Sequence, residues 1–199
     1  MRVPPRTAPL EKSLSRISDV PPERLVGEIE QTLAAQKIQF TSLTWQLVMA
    51  HLPAQLKAMG KLMGSFATDT LLPVRLVEIA IVAVSNLNGC RHCAGRHSVR
   101  LVQLGLSVDT VTCMLDVDVP ELSDLERLVR DYAVAVSEYS AQIDDAMIDR
   151  LRVHFSEPQI VELTMRIALA GFFNRFNNAL GIPLDDTHVV AAEKLGLTL

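Results

Sequence analysis

Glu78-Ile79-Ala80-Ile81-Val82-Ala83-Val84-Ser85-Asn86-Leu87-Asn88-Gly89-Cys90-Arg91-His92-Cys93-Ala94-Gly95-Arg96-His97 is the stretch that decides how this chain reads. Pro73 opens the apolar run, and Asn86-Leu87-Asn88-Gly89 breaks it. The pattern predicts one helix through about Leu87 and a second beginning near Cys90. Ile79 to Val84 alone would also suit a strand, but its flanks and length favour helix. On the second helix, positions three and four apart share a face, so Cys90, Cys93 and His97 line one side. Residues three apart on a helix lie about 5–6 Å from each other, which suits the Cα separation of a disulfide. The pair can close and reopen without large backbone movement.

Cys90 falls at the helix start, where unpaired amides and the helix dipole favour a thiolate. Arg91 and Arg96 add positive charge nearby. This makes Cys90 the more acidic thiol. His97, one turn beyond Cys93, is placed to exchange a proton with it, and imidazole is a common activator of a thiol. Glu78 stands among Leu76, Val77, Ile79, Ala80, Ile81 and Val82. A carboxylate in such a run is costly to bury without a partner, and His97 is the nearest candidate in sequence. A relay Glu78–His97–Cys93 follows as the expectation. His92, inside the pair, either joins the site or points outward.

Other chemistries were weighed on the same residues. A C-x-x-C pair can ligate zinc, with His97 and Glu78 completing four ligands. Three of those on one helical face are crowded for a tetrahedron, and no second C-x-x-C exists. Covalent haem needs histidine directly after the second cysteine, where this chain has Ala94. A thioredoxin fold needs a strand before the motif. Cys113 follows in a separate apolar segment with no base beside it and is expected in the core. His51, His154 and His188 have no ionisable cluster around them in sequence and are expected as surface or satisfied core residues.

Outward from the motif the chain is helical nearly throughout. Pro22 suits the first turn of a helix to about Lys37. Residues 41–64 read as one or two helices interrupted near Pro53. Gly105 ends the cysteine helix, and Ser107 caps a short one to about Leu115. Ser123 and Glu126 make a capping box for a helix to about Tyr139. Asp144 caps another to about Phe155. Ser156, Pro158 and Gln159 open a long one to about Leu180, which Gly181 and Pro183 stop, and a last helix covers roughly 186–196. The class is all-α, a bundle of about eight to ten helices. A faint two-fold repeat appears at an offset of 84, pairing Leu76-Val77-Glu78-Ile79 with Ile160-Val161-Glu162-Leu163, Cys90 with Asn174 and Cys93 with Asn177. The domain organisation expected is an extended, proline-rich arm over 1–22 and a single all-α domain over 23–199.

Composition limits the function further. The chain has 199 residues, 49% hydrophobic and 21% charged, as expected of a globular protein. Its net charge of −4 offers no basic field for nucleic acid or anionic lipid, and 5% aromatics leave little for base stacking. No apolar run approaches the about 20 residues of a membrane span, and Met1 to Pro9 lacks the apolar region of a signal peptide. The expected place is the cytoplasm, where a close cysteine pair is catalytic or metal-binding rather than structural.

Glu78, Cys90, Cys93 and His97, with eleven residues before the C-x-x-C and three after it, resemble the signature of the AhpD-like alkylhydroperoxidases of the carboxymuconolactone decarboxylase family. His92 also matches a histidine found within the pair. Phe173-Asn174-Arg175-Phe176-Asn177-Asn178 and Gly181-Ile182-Pro183 are similar to members as well. The resemblance is strongest over about 65–105 and weaker to about 190. It implies an all-α fold in homo-oligomers, trimers or hexamers, and no cofactor. It further implies that Cys93 attacks an organic hydroperoxide, Cys90 resolves the sulfenic acid as a disulfide, Glu78 and His97 relay the proton and His92 assists. The reductant it implies is a dithiol such as a lipoyl-protein. The decarboxylase branch does not need the two cysteines. The dipole argument makes Cys90 the more acidic thiol and the resemblance makes Cys93 the attacker, two properties that need not coincide.

The intact protein is expected to gain two hydrogens in mass on treatment with a dithiol reductant, the change mapping to Cys90–Cys93. An unchanged mass after prior mild oxidation would remove the redox couple.

Overall fold

The computed structural model describes residues 15–39 and 44–198. Ten α-helices follow one another among the described residues: α1 Glu28–Gln39, α2 Trp45–Met49, α3 Pro53–Thr68, α4 Val74–Leu87, α5 Arg91–Gln103, α6 Val108–Thr112, α7 Asp124–Tyr139, α8 Asp145–Arg152, α9 Glu157–Leu180 and α10 Asp186–Leu195. No strand occurs among the described residues. The all-α expectation holds.

Side chains set most boundaries. Ser123 accepts from the Glu126 amide while Glu126 reaches back, the reciprocal box that opens α7. Ser156 and Gln159 do the same for α9, and Asp144 and Asp185 cap α8 and α10. Gly181 ends α9 in the left-handed region at φ 64°, a conformation that costs glycine little. The start of the chain departs from expectation. Pro22–Arg24 is a single 3-10 turn, and the helix begins only at Glu28, after Gly27 at φ 63°. The left-handed glycine resets the chain direction, so Pro22 cannot feed α1 directly. The short helix after Ser107 stops at Thr112 rather than Leu115. Cys113 is its half-buried C-cap rather than a core residue.

Of the expected arm, residues 1–14 lie outside the described ones. Ser15 and Arg16 are tied to the end of α9: the Arg16 amide donates to the Leu180 carbonyl (2.7 Å) and its guanidinium to that of Ala179 (2.7 Å). Val20 is buried, and its amide donates to the Leu47 carbonyl at 3.2 Å.

Helix α4 is the axis of the bundle, packed against α5, α7 and α9. Its Ile79, Ala80, Val82, Ala83 and Val84 are fully buried, with Leu163 and Ile167 of α9 and Val129 of α7 around them. A second apolar cluster joins Trp45, Val48, Met49 and Leu56 to Phe173, Ile182 and the two cysteines. The segments before residue 65 thus pack directly on the cysteine pair.

Leu163→Ala, at a fully buried position, is expected to cost about 2–5 kcal/mol in urea unfolding without changing the slope. A loss below about 1 kcal/mol would mean that α9 does not close the core as described.

Candidate functional site

Gly89, at φ 59°, turns the chain sharply from α4 into α5. The turn makes Cys90 the N-cap of α5, its sulfur accepting from the Cys93 amide at 3.4 Å. Both cysteines are free and buried. The Cys93 thiol donates to the Cys90 sulfur, and this hydrogen bond, against the cost of burial, lowers the Cys90 pKa to about 7. The Cys93 amide and Asn174 lower it further. Cys93 is pushed up because it gives its proton to that bond and is itself buried. The two sulfurs therefore hold one proton between them, and the acidity belongs to the pair.

Glu78 reaches this site from the middle of α4. One carboxylate oxygen accepts from His97 Nδ1 at 2.6 Å and the other from Arg100 Nε at 3.1 Å. Burial alone would raise the carboxyl pKa. The charge and hydrogen bond of His97, with Arg100 and Arg166 beyond, outweigh it and hold Glu78 below the usual carboxylate range. The contact also settles the His97 tautomer: Nδ1 carries the proton toward Glu78, which leaves Nε2 as the ring's exchanging nitrogen.

His92 is buried, and its Nδ1–H donates to the Pro183 carbonyl at 2.8 Å. Burial lowers its pKa to about 4, so the ring is neutral. The left-handed stop at Gly181 is what delivers Pro183 to this position.

Cys93, Glu78, His92 and His97 border one cavity of about 750 Å³. Its apolar walls include Trp45, Met63, Phe66 and Phe173, drawn from both ends of the chain. Arg166 fixes one wall, its guanidinium 4.2 Å from the Phe66 ring centre while donating to the Phe66 carbonyl. Cys90 does not border this cavity; it borders a second one of about 330 Å³. The five residues singled out in the sequence thus come together, with the two cysteines facing different spaces.

Several neighbours were not foreseen. Asn177 donates to the Cys93 sulfur at 3.3 Å, and its buried Oδ1 has no hydrogen-bond partner among the described residues. Asn174 donates to Ser85 Oγ (3.2 Å) and accepts from Asn88 (3.0 Å), tying α9 to the α4–α5 turn. Arg100 continues the face of Cys93, Arg96 and His97, so helical spacing could have found it. His188, expected at the surface or in a satisfied core, instead lines the large cavity with its ring on Asp185. The overlooked signal is the aspartate three residues earlier. Cys113 stands apart, its thiol hydrogen-bonded to Asp116, which raises its pKa.

The all-α bundle has the fold of an AhpD core. Residues 50–135 match the model of the carboxymuconolactone decarboxylase family. The uncharacterized protein YnjA of Escherichia coli K12 is 36% identical over 95 residues, 47% of this chain and 52% of YnjA, so the chain spans about half of that relative's length. Among solved structures, the AhpD core of an uncharacterized peroxidase-related protein from Ralstonia eutropha JMP134 superposes with a TM-score of 0.77 at 21% identity, covering 88% of this chain and 95% of its own. The debrominase Bmp8 superposes with a TM-score of 0.74 at 20% identity, covering 90% and 97%. At these identities the likeness is one of fold. No described helix is long and apolar enough to cross a membrane.

Thiolate absorbance of reduced Cys113→Ser protein is expected to rise in one step centred at about pH 7, worth one sulfur, with no second thiol step until strongly alkaline pH. The sign follows from the lowered Cys90 value: the anion is present above that pH and lost below it. Both thiols titrating together in the ordinary cysteine range would contradict the shared proton.

Proposed function

We propose that the protein is a thiol-dependent peroxidase that reduces organic hydroperoxides at Cys93. The observation that carries this reading is that the Cys93 sulfur and the Glu78–His97 pair border the same cavity, with Cys90 one helical turn behind.

In this reading Cys93 loses its proton to His97 Nε2, while Glu78 holds the ring and compensates its charge. Asn177, donating to the sulfur, steadies the anion. The thiolate attacks the terminal peroxide oxygen: an S–O bond forms, the O–O bond breaks and the alcohol leaves after taking up a proton. Cys90, the more acidic sulfur, then attacks the sulfenic acid and releases water as the disulfide closes. A dithiol, such as a lipoyl group on a partner protein, takes over the disulfide and returns both thiols. The Cys93 and His92 amides and Asn174, donors that remain once Cys93 is a sulfenic acid, favour the Cys90 anion that this second step needs.

The cavity supports an organic peroxide over hydrogen peroxide. Its volume is that of a drug-sized ligand site, and its aromatic and aliphatic walls favour an apolar group. Arg96, Arg100 and Arg166 at its border suit a polar or anionic end. His92, neutral and fixed to Pro183, positions the segment that closes one side of the site.

Reduced protein mixed with cumene hydroperoxide is expected to lose two free thiols, and Cys90→Ser protein to accumulate a sulfenic acid on Cys93 that a carbon nucleophile traps. No thiol loss, or equal loss in Cys93→Ser protein, would overturn the assignment.

A further inference from the structure

Peroxide cleavage needs two proton transfers. One takes a proton from the attacking thiol; the other places a proton on the departing oxygen, since an alkoxide leaves far less readily than an alcohol. The Glu78–His97 pair accounts for the first. The second has so far no donor.

On the border of the same cavity, the stop of α9 and the start of α10 build another pair. Asp185 is the N-cap of α10, its Oδ1 accepting from the His188 amide at 3.2 Å. The same carboxylate receives His188 Nδ1–H at 2.9 and 2.8 Å. Nδ1 is thereby committed, and Nε2 is the nitrogen left for the cavity that His188 borders together with Cys93 and His97. Asp185 is also close enough for its charge to act on His92 and Arg96, the residues flanking Cys93 on α5. His92 itself cannot be the donor. Its proton sits on Nδ1 and goes to the Pro183 carbonyl, and burial keeps the ring neutral. The remaining charged groups on the cavity wall, Arg96, Arg100 and Arg166, keep their protons.

We propose that His188, held by Asp185, is the general acid that protonates the leaving alkoxide. This rests on the peroxidase reading above. As the Cys93 thiolate forms its bond to the terminal oxygen and the O–O bond breaks, the electron pair of that bond passes to the inner oxygen. The imidazolium of His188 gives its Nε2 proton to that oxygen, and alcohol departs. His97 has meanwhile taken the thiol proton. The sum is thiol plus hydroperoxide giving sulfenic acid plus alcohol, with both rings restored by proton exchange through solvent. Asp185 serves His188 as Glu78 serves His97, so the cavity carries two carboxylate–imidazole pairs of opposite duty.

The alternative is that His188 only reinforces the cap of α10. Leaving-group chemistry separates the two. Cumene and tert-butyl hydroperoxides expel an alkoxide and need the acid; a peroxybenzoic acid expels a carboxylate and does not. With His188→Gln, Cys93 oxidation by the alkyl hydroperoxides is expected to slow by about 100-fold or more, while the peracid reacts at the wild-type rate. Asp185→Asn, which keeps a capping side chain, is expected to slow the alkyl hydroperoxides alone, to a lesser degree. Equal slowing with both classes, or none with either, would overturn the role of His188 and leave the peroxidase reading standing. A wild-type protein whose Cys93 reacts with neither class would bring down both.

Discussion

A carboxylate sunk in the apolar middle of α4 is the constraint around which the site is arranged. Glu78 is buried, its neighbours along α4 offer it no side-chain hydrogen bond, and a charge so placed persists only with partners. Its partners come from one face of α5, His97 to one oxygen and Arg100 to the other. The two helices are thereby locked in register, with Cys93 and the imidazole bordering one cavity. Burial, which would by itself neutralise the carboxyl group, makes the pairing strong because little solvent screens it.

The dithiol answers to a different balance. Cys90 caps its own helix and receives three kinds of donor, the Cys93 thiol, backbone amides and Asn174, so its anion is favoured despite complete burial. Cys93 is held by Asn177 and faces the larger cavity. Acidity and access are therefore split between two sulfurs one turn apart. The residues meeting the sulfurs, Asn174 and Asn177, are those that an 84-residue offset pairs with Cys90 and Cys93.

Much of this was written in the chain locally. Ser123 with Glu126, Ser156 with Gln159 and the aspartates at 144 and 185 mark helix starts by chemistry that acts within one turn, and the structure follows them. Gly27 was missed because one left-handed residue redirects the chain without altering the apolar pattern around it. The Glu78–His97 contact was legible because a lone carboxylate in an apolar run demands a partner and helical spacing supplies one. The Asp185–His188 pair is local, but its place on the cavity was hidden by distance: nothing near residue 188 says that α10 packs onto α5. The same holds for Trp45, Met63 and Phe66, whose place on the cavity wall depends on packing between segments far apart in the chain.

The account stands or falls on whether Glu78 activates Cys93 through His97. The direct measurement is the second-order rate of Cys93 oxidation by an alkyl hydroperoxide in Glu78→Gln protein, beside the rate at which a small disulfide oxidant closes Cys90–Cys93 in the same sample. A fall of about 100-fold or more in the first, with the second preserved, is what the relay requires. Unchanged peroxide reactivity in a folded Glu78→Gln protein would contradict it.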